Sequence, residues 1–278
     1  MPPPVRDENE ALIAELGLRR DRPWVLTDHP HLIRAASVLV FLAAWEVYGR
    51  RTDPILLTYP TAVVRAAFDL IRTGEIFRQA LVSLGGLAVG FGASVVLGVG
   101  LGLAMGRSRV AEAALDPHIN ALYATPQVAL APLLMLWFGL GFAPKVVMIF
   151  LFAFFPILIN TAAGVRNVGG GMVEVGRAYL ASPRQLLCKV IAPAALPFIM
   201  AGIRLAVGRA LVGMIVGELF TAITGLGAML VLYGNLFETA KMFVVIMVLA
   251  LLGWSLTQAV LVLERRLARW KETERAVR

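Results

Sequence analysis

The sequence predicts an all-α integral membrane protein with about six transmembrane helices, and three observations carry that prediction. Of its 278 residues, 59% are hydrophobic and only 16% are charged, against about 45–50% and about 25% in ordinary soluble domains. The mean hydropathy is +0.77, more apolar surface than one soluble domain of normal shape can bury. The apolar residues also fall in runs long enough to cross a bilayer, which takes about 20 residues of helix. Helix is the required form, because lipid cannot satisfy an open backbone. This composition excludes a disordered chain, which needs the opposite balance, and an ordinary soluble enzyme.

The chain opens on a polar tail, residues 1–31. Asp and Glu crowd the stretch that a signal peptide keeps basic, and the first apolar run comes too late for one; a short surface helix is expected over residues 10–18. The first span, 32–48, carries Arg34 and Glu46 near its ends, within reach of the interface. Residues 60–79 place Val63, Val64, Ala67, Phe68, Leu70 and Ile71 at helical spacing, which predicts an amphipathic surface helix. The second span, 80–105 with its flank, sets Gly86, Gly90, Ser94, Gly98, Gly102 and Gly106 four residues apart. On a helix these form one groove for the close approach of another helix, inside the chain or on a partner.

The third span, 119–140, contains Pro126 and Pro132, and the fourth, 145–164, contains Pro156 and Asn160. Each proline removes a backbone hydrogen bond, so both helices are expected to kink or unwind. The fifth span, 196–222, holds Arg204, Arg209 and Glu218; the sixth covers 242–263, ahead of a basic tail at 264–278. Charge within a bilayer is costly and marks candidate functional positions. Arg204 and Glu218 lie near opposite ends of their span and can reach the interface. Arg209 lies deeper, where lining a polar path and pairing with a carbonyl or carboxylate both stay open. Arg209, Glu218 and Asn160 are the candidate pathway residues.

A net charge of +8 points to nucleic acid only on a soluble fold with basic patches; here the basic residues separate apolar runs, and they set topology instead. With both termini in the cytoplasm, most of the 26 basic residues fall inside, among them Arg6, Arg19, Arg107, Arg109, Arg166, Arg177, Arg184 and Lys189. Arg50, Arg51, Arg65, Arg72, Arg78, Lys145 and Lys241 fall outside. A single cysteine, Cys188, makes no internal disulfide, and with His29, His31 and His118 it makes no zinc set. No metal site is expected.

Residues 165–195 form a connection far longer than a hairpin. The glycine run 169–171 offers a hinge, and a short helix is expected over 172–179. Ser182 then reads as an N-cap, with Pro183 at the first helical position and Gln185 completing a capping box. The second short helix puts Leu186, Leu187, Val190 and Ile191 on one face and Arg184, Gln185 and Lys189 toward water, and Pro193 and Pro197 are expected to end it and start the fifth span. Two short helices hung from the membrane on a tight turn suit a grip by a soluble partner.

This segment resembles the cytoplasmic motif of the permease subunits of binding-protein-dependent ABC importers: Glu-Ala-Ala, three residues, Gly, nine residues, then Ile-x-Leu-Pro. In this chain the register reads Glu174-Val175-Gly176, Leu180, then Val190-Ile191-Ala192-Pro193. The likeness extends over about residues 55–270 and is closest to the nitrate, sulfonate and taurine group, through TPQVALAPLLMLWFGLG (125–141), FFPILINTAAGVRNV (154–168), GIRLAVGRALVGMIVGELF (202–220) and ITGLGAMLV (223–231). It implies the type I importer permease arrangement in a bacterial inner membrane, with a second permease subunit, cytoplasmic ABC ATPase subunits and an external substrate-binding protein. It also implies transport of a small solute such as a sulfonate, nitrate or taurine. ATP and Mg then belong to the ATPase; the chain has no Walker A pattern and no cofactor of its own. Glu174, Gly176, Arg177, Tyr179, Leu180, Ala181, Ser182, Pro183, Arg184 and Pro193 become the ATPase-coupling residues. Leu180 stands where the motif has glycine, so an altered turn is expected there. Three other classes compete: an ion-coupled secondary transporter, for which Glu218 and Glu46 are the available carboxylates; an intramembrane enzyme, for which one Cys, no intramembrane His pair and no Asp inside a span leave no catalytic constellation; and a non-transporting membrane scaffold.

Overall fold

The computed structural model describes residues 30–221 and 224–267, and every regular element among them is helical. The chain divides into two units, residues 1–61 and 62–278. The described part of the first unit is one long helix, α1 (Pro30–Arg51), apolar through its middle with charges toward its ends, and the return loop behind it. Trp45 Nε1 donates to the Thr58 carbonyl at 2.8 Å. Glu46 accepts from Arg50 Nε at 2.7 Å, from the Thr61 hydroxyl at 2.7 Å and from the Thr61 N–H at 3.0 Å. Thr61 lies in the first turn of α2 (Pro60–Arg72), so the carboxylate caps a helix N-terminus, where negative charge is favoured.

In the second unit, α2 buries Val63, Ala66 and Leu70 and exposes Val64, Phe68 and Ile71. It is shorter than the 60–79 read from the sequence. Gly74 takes φ +70°, a left-handed conformation that glycine adopts at no steric cost, and the next helix, α3 (Glu75–Arg107), starts immediately after it. The helix of the second span therefore begins ahead of residue 80.

The small-residue stripe of α3 lies against α6 (Phe142–Arg166). A Cβ added at Gly86, Gly90, Gly98, Gly102 or Gly106 would come no farther than 3.0 Å from Lys145, Ile149, Ile157, Thr161 or Val165 respectively. Ser94, on the same stripe, donates to the Gly90 carbonyl at 2.7 Å and across to the Phe150 carbonyl at 3.1 Å. Both series rise together by fours, so the two helices run parallel with one repeat interlocked in the other. The contact is within the chain. Beside α3, α6 receives α9 (Ala192–Thr221) as closely: Gly202 meets Asn160, Gly213 meets Met148 and Ile149, and Gly217 meets Lys145. Packed in this way, α6 is the most buried of the long apolar helices among the described residues.

The expected third span is not one helix. Ser108 caps α4 (Arg109–Ala124), which stops at Pro126; a 3-10 turn (Gln127–Leu130) leads into α5 (Ala131–Phe138), and the two limbs meet at 87°. Pro132 falls in the first turn of α5, where a missing N–H costs nothing, so it starts a helix instead of kinking one. Gln127 Nε2 ties the break to the Leu151 carbonyl at 3.3 Å. Pro156 does not break α6, which stays helical from end to end. With the bent pair taken as one, the described residues hold up to 6 helices or helix pairs able to cross a membrane.

Two further differences concern the second half. Pro193 and Pro197 do not separate a loop helix from the fifth span: the chain stays helical from Pro183 through a π turn, Leu187–Ile191, into α9. A proline ring clashes with the carbonyl four residues back in α register, and the wide turn ahead of Pro193 makes room for it. A short apolar helix, α10 (Leu226–Asn235), precedes the last one, α11 (Thr239–Leu267), and no sequence signal marked it. The expected tail helix over 10–18, the end of the fifth span at residue 222 and the end of the basic tail from residue 268 lie outside the described residues.

Gly102→Leu forces a side chain into Thr161 and the Leu158 carbonyl and should lower stability by about 1–3 kcal/mol, the usual penalty of overpacking. Gly100→Leu, on an open face of the same helix, should leave it unchanged. Thermal unfolding of the two purified variants in detergent separates the outcomes.

Candidate functional site

The 165–195 segment folds into a projecting corner. The first short helix, α7 (Gly170–Ala178), ends in a Schellman-type cap: the Ala181 N–H donates to the Gly176 carbonyl at 3.1 Å and the Leu180 N–H to the Arg177 carbonyl at 2.9 Å. That cap needs a left-handed residue, and Leu180 supplies it at φ +55°. The turn absorbs the leucine as strain at one residue, where left-handed φ costs an L side chain roughly 1–2 kcal/mol. The second short helix, α8 (Pro183–Leu186), starts at Ser182, which accepts from the Gln185 N–H at 3.3 Å while Gln185 Oε1 accepts from the Ser182 N–H at 2.8 Å. Gly176 lets the two helices meet, since a Cβ there would lie 2.7 Å from Leu186 Cδ1.

Inward, Leu186 and Ile191 are buried with Val165, Ala195 and Ile199. Arg107 donates to the Pro183 carbonyl at 2.9 Å, and Arg166 pairs with Glu112 at 2.7 Å. Outward, Glu174, Arg177, Pro183 and Arg184 are exposed, Ala181 and Pro193 half-buried. At the tip, Tyr179 is 85% and Leu180 92% exposed. The corner is thus anchored on one side and bare on the other, with an aromatic and an apolar side chain almost fully exposed at its tip.

A second polar cluster lies near the far end of the bundle. Glu218 of α9 is 0% exposed and accepts from Ser83 Oγ of α3 at 2.7 Å, Lys145 Nζ of α6 at 3.1 Å and the Gly227 N–H of α10 at 2.8 Å. Lys145, 2% exposed, also donates to the Val82 carbonyl at 3.2 Å. Ser83 in turn accepts from the Leu226 N–H at 2.8 Å, and Gln79 from the Gly225 N–H at 2.7 Å. Three successive N–H groups at the start of α10, which an isolated helix leaves orphaned, are thereby satisfied by α3 and α9. Gly225, at φ +108°, packs on the Glu218 carboxylate with no room for a Cβ. Neither charge reaches an interface: Glu218 does not snorkel, and Lys145 is not an outside-loop residue. Lys145, Ser83, Gln79, Gly225 and Gly227 escaped sequence reasoning. The available signal was a lone lysine opening one apolar run and a lone glutamate closing another.

Asn160 donates to the Pro156 carbonyl at 2.8 Å within α6 and packs against Gly202. Arg204 faces Glu264 of α11 at 3.5 Å. Arg209 lies on an exposed face of α9 with Leu205, Gly208 and Val212, and no described residue pairs with it. The ten corner residues therefore come together, whereas Arg209, Glu218 and Asn160 occupy three separate places.

This helical arrangement matches solved permeases. It superposes on a chain of the MetNI methionine ABC transporter in an inward-facing conformation with a TM-score of 0.59, at 20% identity, covering 69% of this chain and 95% of that one. An amino acid ABC transporter with histidines gives 0.56 at 17% identity, covering 73% and 97%. The fold is that of an ABC importer permease. The family model for a binding-protein-dependent transport system inner membrane component matches residues 94–269, and the chain belongs to that family. It is 36% identical over 236 residues to SsuC of Bacillus subtilis strain 168, named for aliphatic sulfonates transport, covering 84% of this chain and 86% of that protein. It is 35% identical to the riboflavin transport permease RibX of Chloroflexus aurantiacus (87% and 91% covered) and 32% identical to the taurine transport permease TauC of Escherichia coli K12 (84% and 88%). The chain is accordingly a multi-pass permease subunit of an ABC importer, and its relatives are transport permeases.

Glu218→Gln leaves the Lys145 ammonium buried without its counter-charge and should cost about 3–5 kcal/mol, as expected when one partner of a buried pair is removed. Lys145→Met combined with Glu218→Gln removes the orphaned charge, keeps an acceptor for the Gly227 N–H and should recover most of that loss. Unfolding temperatures of the two variants decide it; an uncorrected double variant contradicts the pairing.

Proposed function

We propose that this chain is one of two permease subunits of an importer for small organic anions of the sulfonate class, in a bacterial inner membrane with both termini cytoplasmic. The projecting corner enters a groove on a separate ATPase subunit, which binds and hydrolyses ATP with Mg, and a binding protein outside delivers the solute. One observation carries this reading: the corner holds Tyr179 and Leu180 bare at its tip while its base is fixed to α3, α6 and α9. Contact at such a tip moves the base with it. The sulfonate class follows the names of the SsuC and TauC relatives. The two carboxylates available to an ion-coupled carrier are committed, Glu46 to a helix cap and Glu218 to Lys145, which favours the ATP-driven reading.

The complex is tested in proteoliposomes with its ATPase and binding protein, using labelled ethanesulfonate. Uptake should require ATP, and Glu174→Lys should abolish uptake while ATP hydrolysis continues. Uptake driven by a proton or sodium gradient without ATP refutes the proposal.

Leu180 gives a sharper test, because its two effects have opposite sign. Leu180→Gly relieves the left-handed strain and should stabilise the isolated permease by about 1 kcal/mol, yet it removes the apolar tip and should weaken retention of the ATPase subunit on size-exclusion chromatography. A variant both more stable and fully coupled removes the tip from the docking surface.

A further inference from the structure

We infer that Arg209 is an anion-contacting residue of the translocation pathway, a transient guanidinium site for a sulfonate, carboxylate or similar oxyanion. This rests on the importer reading above. Arg209 lies about 14 Å along α9 from Glu218 and about 8 Å from Arg204, taking about 1.5 Å per residue. Those two neighbours are ion-paired, to Lys145 and Glu264; Arg209 is not, among the described residues. Its face is otherwise apolar, with Leu205 and Val212 exposed beside it. A guanidinium facing lipid at this depth costs several kcal/mol, so its face meets water or a counter-charge.

The described residues do not supply that counter-charge. Of the carboxylates on the described span helices, Glu46 is held by Arg50 and Thr61, Glu112 by Arg166, Glu218 by Lys145, Asp116 accepts from Asn120, Glu264 faces Arg204, and Glu75 opens α3 at its first turn. A second copy of this chain carries the same carboxylates in the same commitments. What remains is a water-filled path in which the passing solute brings the negative charge. Gly208, the adjacent residue, fits this reading: a Cβ there meets no other element, and an interior helix glycine costs about 1 kcal/mol relative to alanine, so space beside the guanidinium is kept at some expense. A guanidinium presents paired donors that match an oxyanion in plane. A single such contact, without further donors around it, holds the solute weakly enough to release it, as conduction requires.

The test reads charge selectivity directly on the assembled complex. In a Cys188→Ser background, Gly208→Cys is exposed to an anionic and a cationic methanethiosulfonate of similar size. The anionic reagent should react about tenfold faster than the cationic one, the scale on which a charged cleft enriches counter-ions. Adding Arg209→Gln should bring the ratio to about one, while Arg209→Lys keeps most of it, since the charge rather than the fork sets this readout. Equal rates with Arg209 in place, or a ratio that Arg209→Gln leaves unchanged, overturns the inference, as does a position 208 that neither reagent reaches. In parallel, Arg209→Gln should cut ATP-driven ethanesulfonate uptake at least about tenfold, given the same enrichment. Absence of uptake by the unsubstituted complex overturns the importer reading itself, and the labelling ratio separates that result from a failure of Arg209 alone.

Discussion

A charge buried in a membrane bundle must be matched on every side, and Glu218 is where this fold meets that requirement. Its carboxylate has one cation, one hydroxyl and one backbone N–H around it, from α6, α3 and α10. Each of those partners is itself committed, Lys145 to Val82 and Ser83 to Leu226. Four helices are thereby placed relative to one another by one shared set of polar contacts. Such a pair adds little net stability over an apolar replacement, but breaking it on one side is severe. The position of α10 follows from it: a short helix with a buried N-terminus stays where its first N–H groups are satisfied.

The rest of the second unit is organised by close approach. Helices in lipid gain nothing from excluding water between them, so they associate through small residues that admit a neighbour's backbone. The stripe on α3 and the glycines of α9 both face α6, so the central helix is held by backbone proximity to both. The corner is built on the same helices, through Arg107 at the end of α3 and Val165 near the end of α6.

Much of this was legible in the sequence, and the exceptions share a cause. Hydropathy located every long span, because burial in lipid demands the same composition wherever a helix lies. The capping box at Ser182 and the stripe on α3 were legible because each is a periodic or local pattern. Three prolines show the limit of local reasoning: Pro126 ends a helix, Pro156 is carried inside one, and Pro193 follows a wide turn. The residue is the same; the packing around it decides. Lys145 and Glu218 were placed at interfaces because each stands near the end of its run, and their mutual contact, 73 residues apart in sequence, has no local signature. The break before Pro126 was legible, since a proline there was expected to kink or unwind the third span; α10 belongs with the Lys145–Glu218 pair, too short and too apolar to stand out from the span before it. At Leu180 the sequence located the departure from glycine, and the structure added that the backbone holds glycine's conformation regardless.

The interlocked seam between α3 and α6 has a mechanical consequence. Five glycines and a serine, spread over six turns of α3, hold two parallel helices at backbone distance, which leaves them no freedom to slide past or bend away from each other separately. They act as a stiff double rod, tethered to the corner at one end and to the Glu218 cluster at the other. Close packing along that length favours motion of the pair as one body over bending of either helix alone. Any alternation between open and closed states must then come from the joints around that rod.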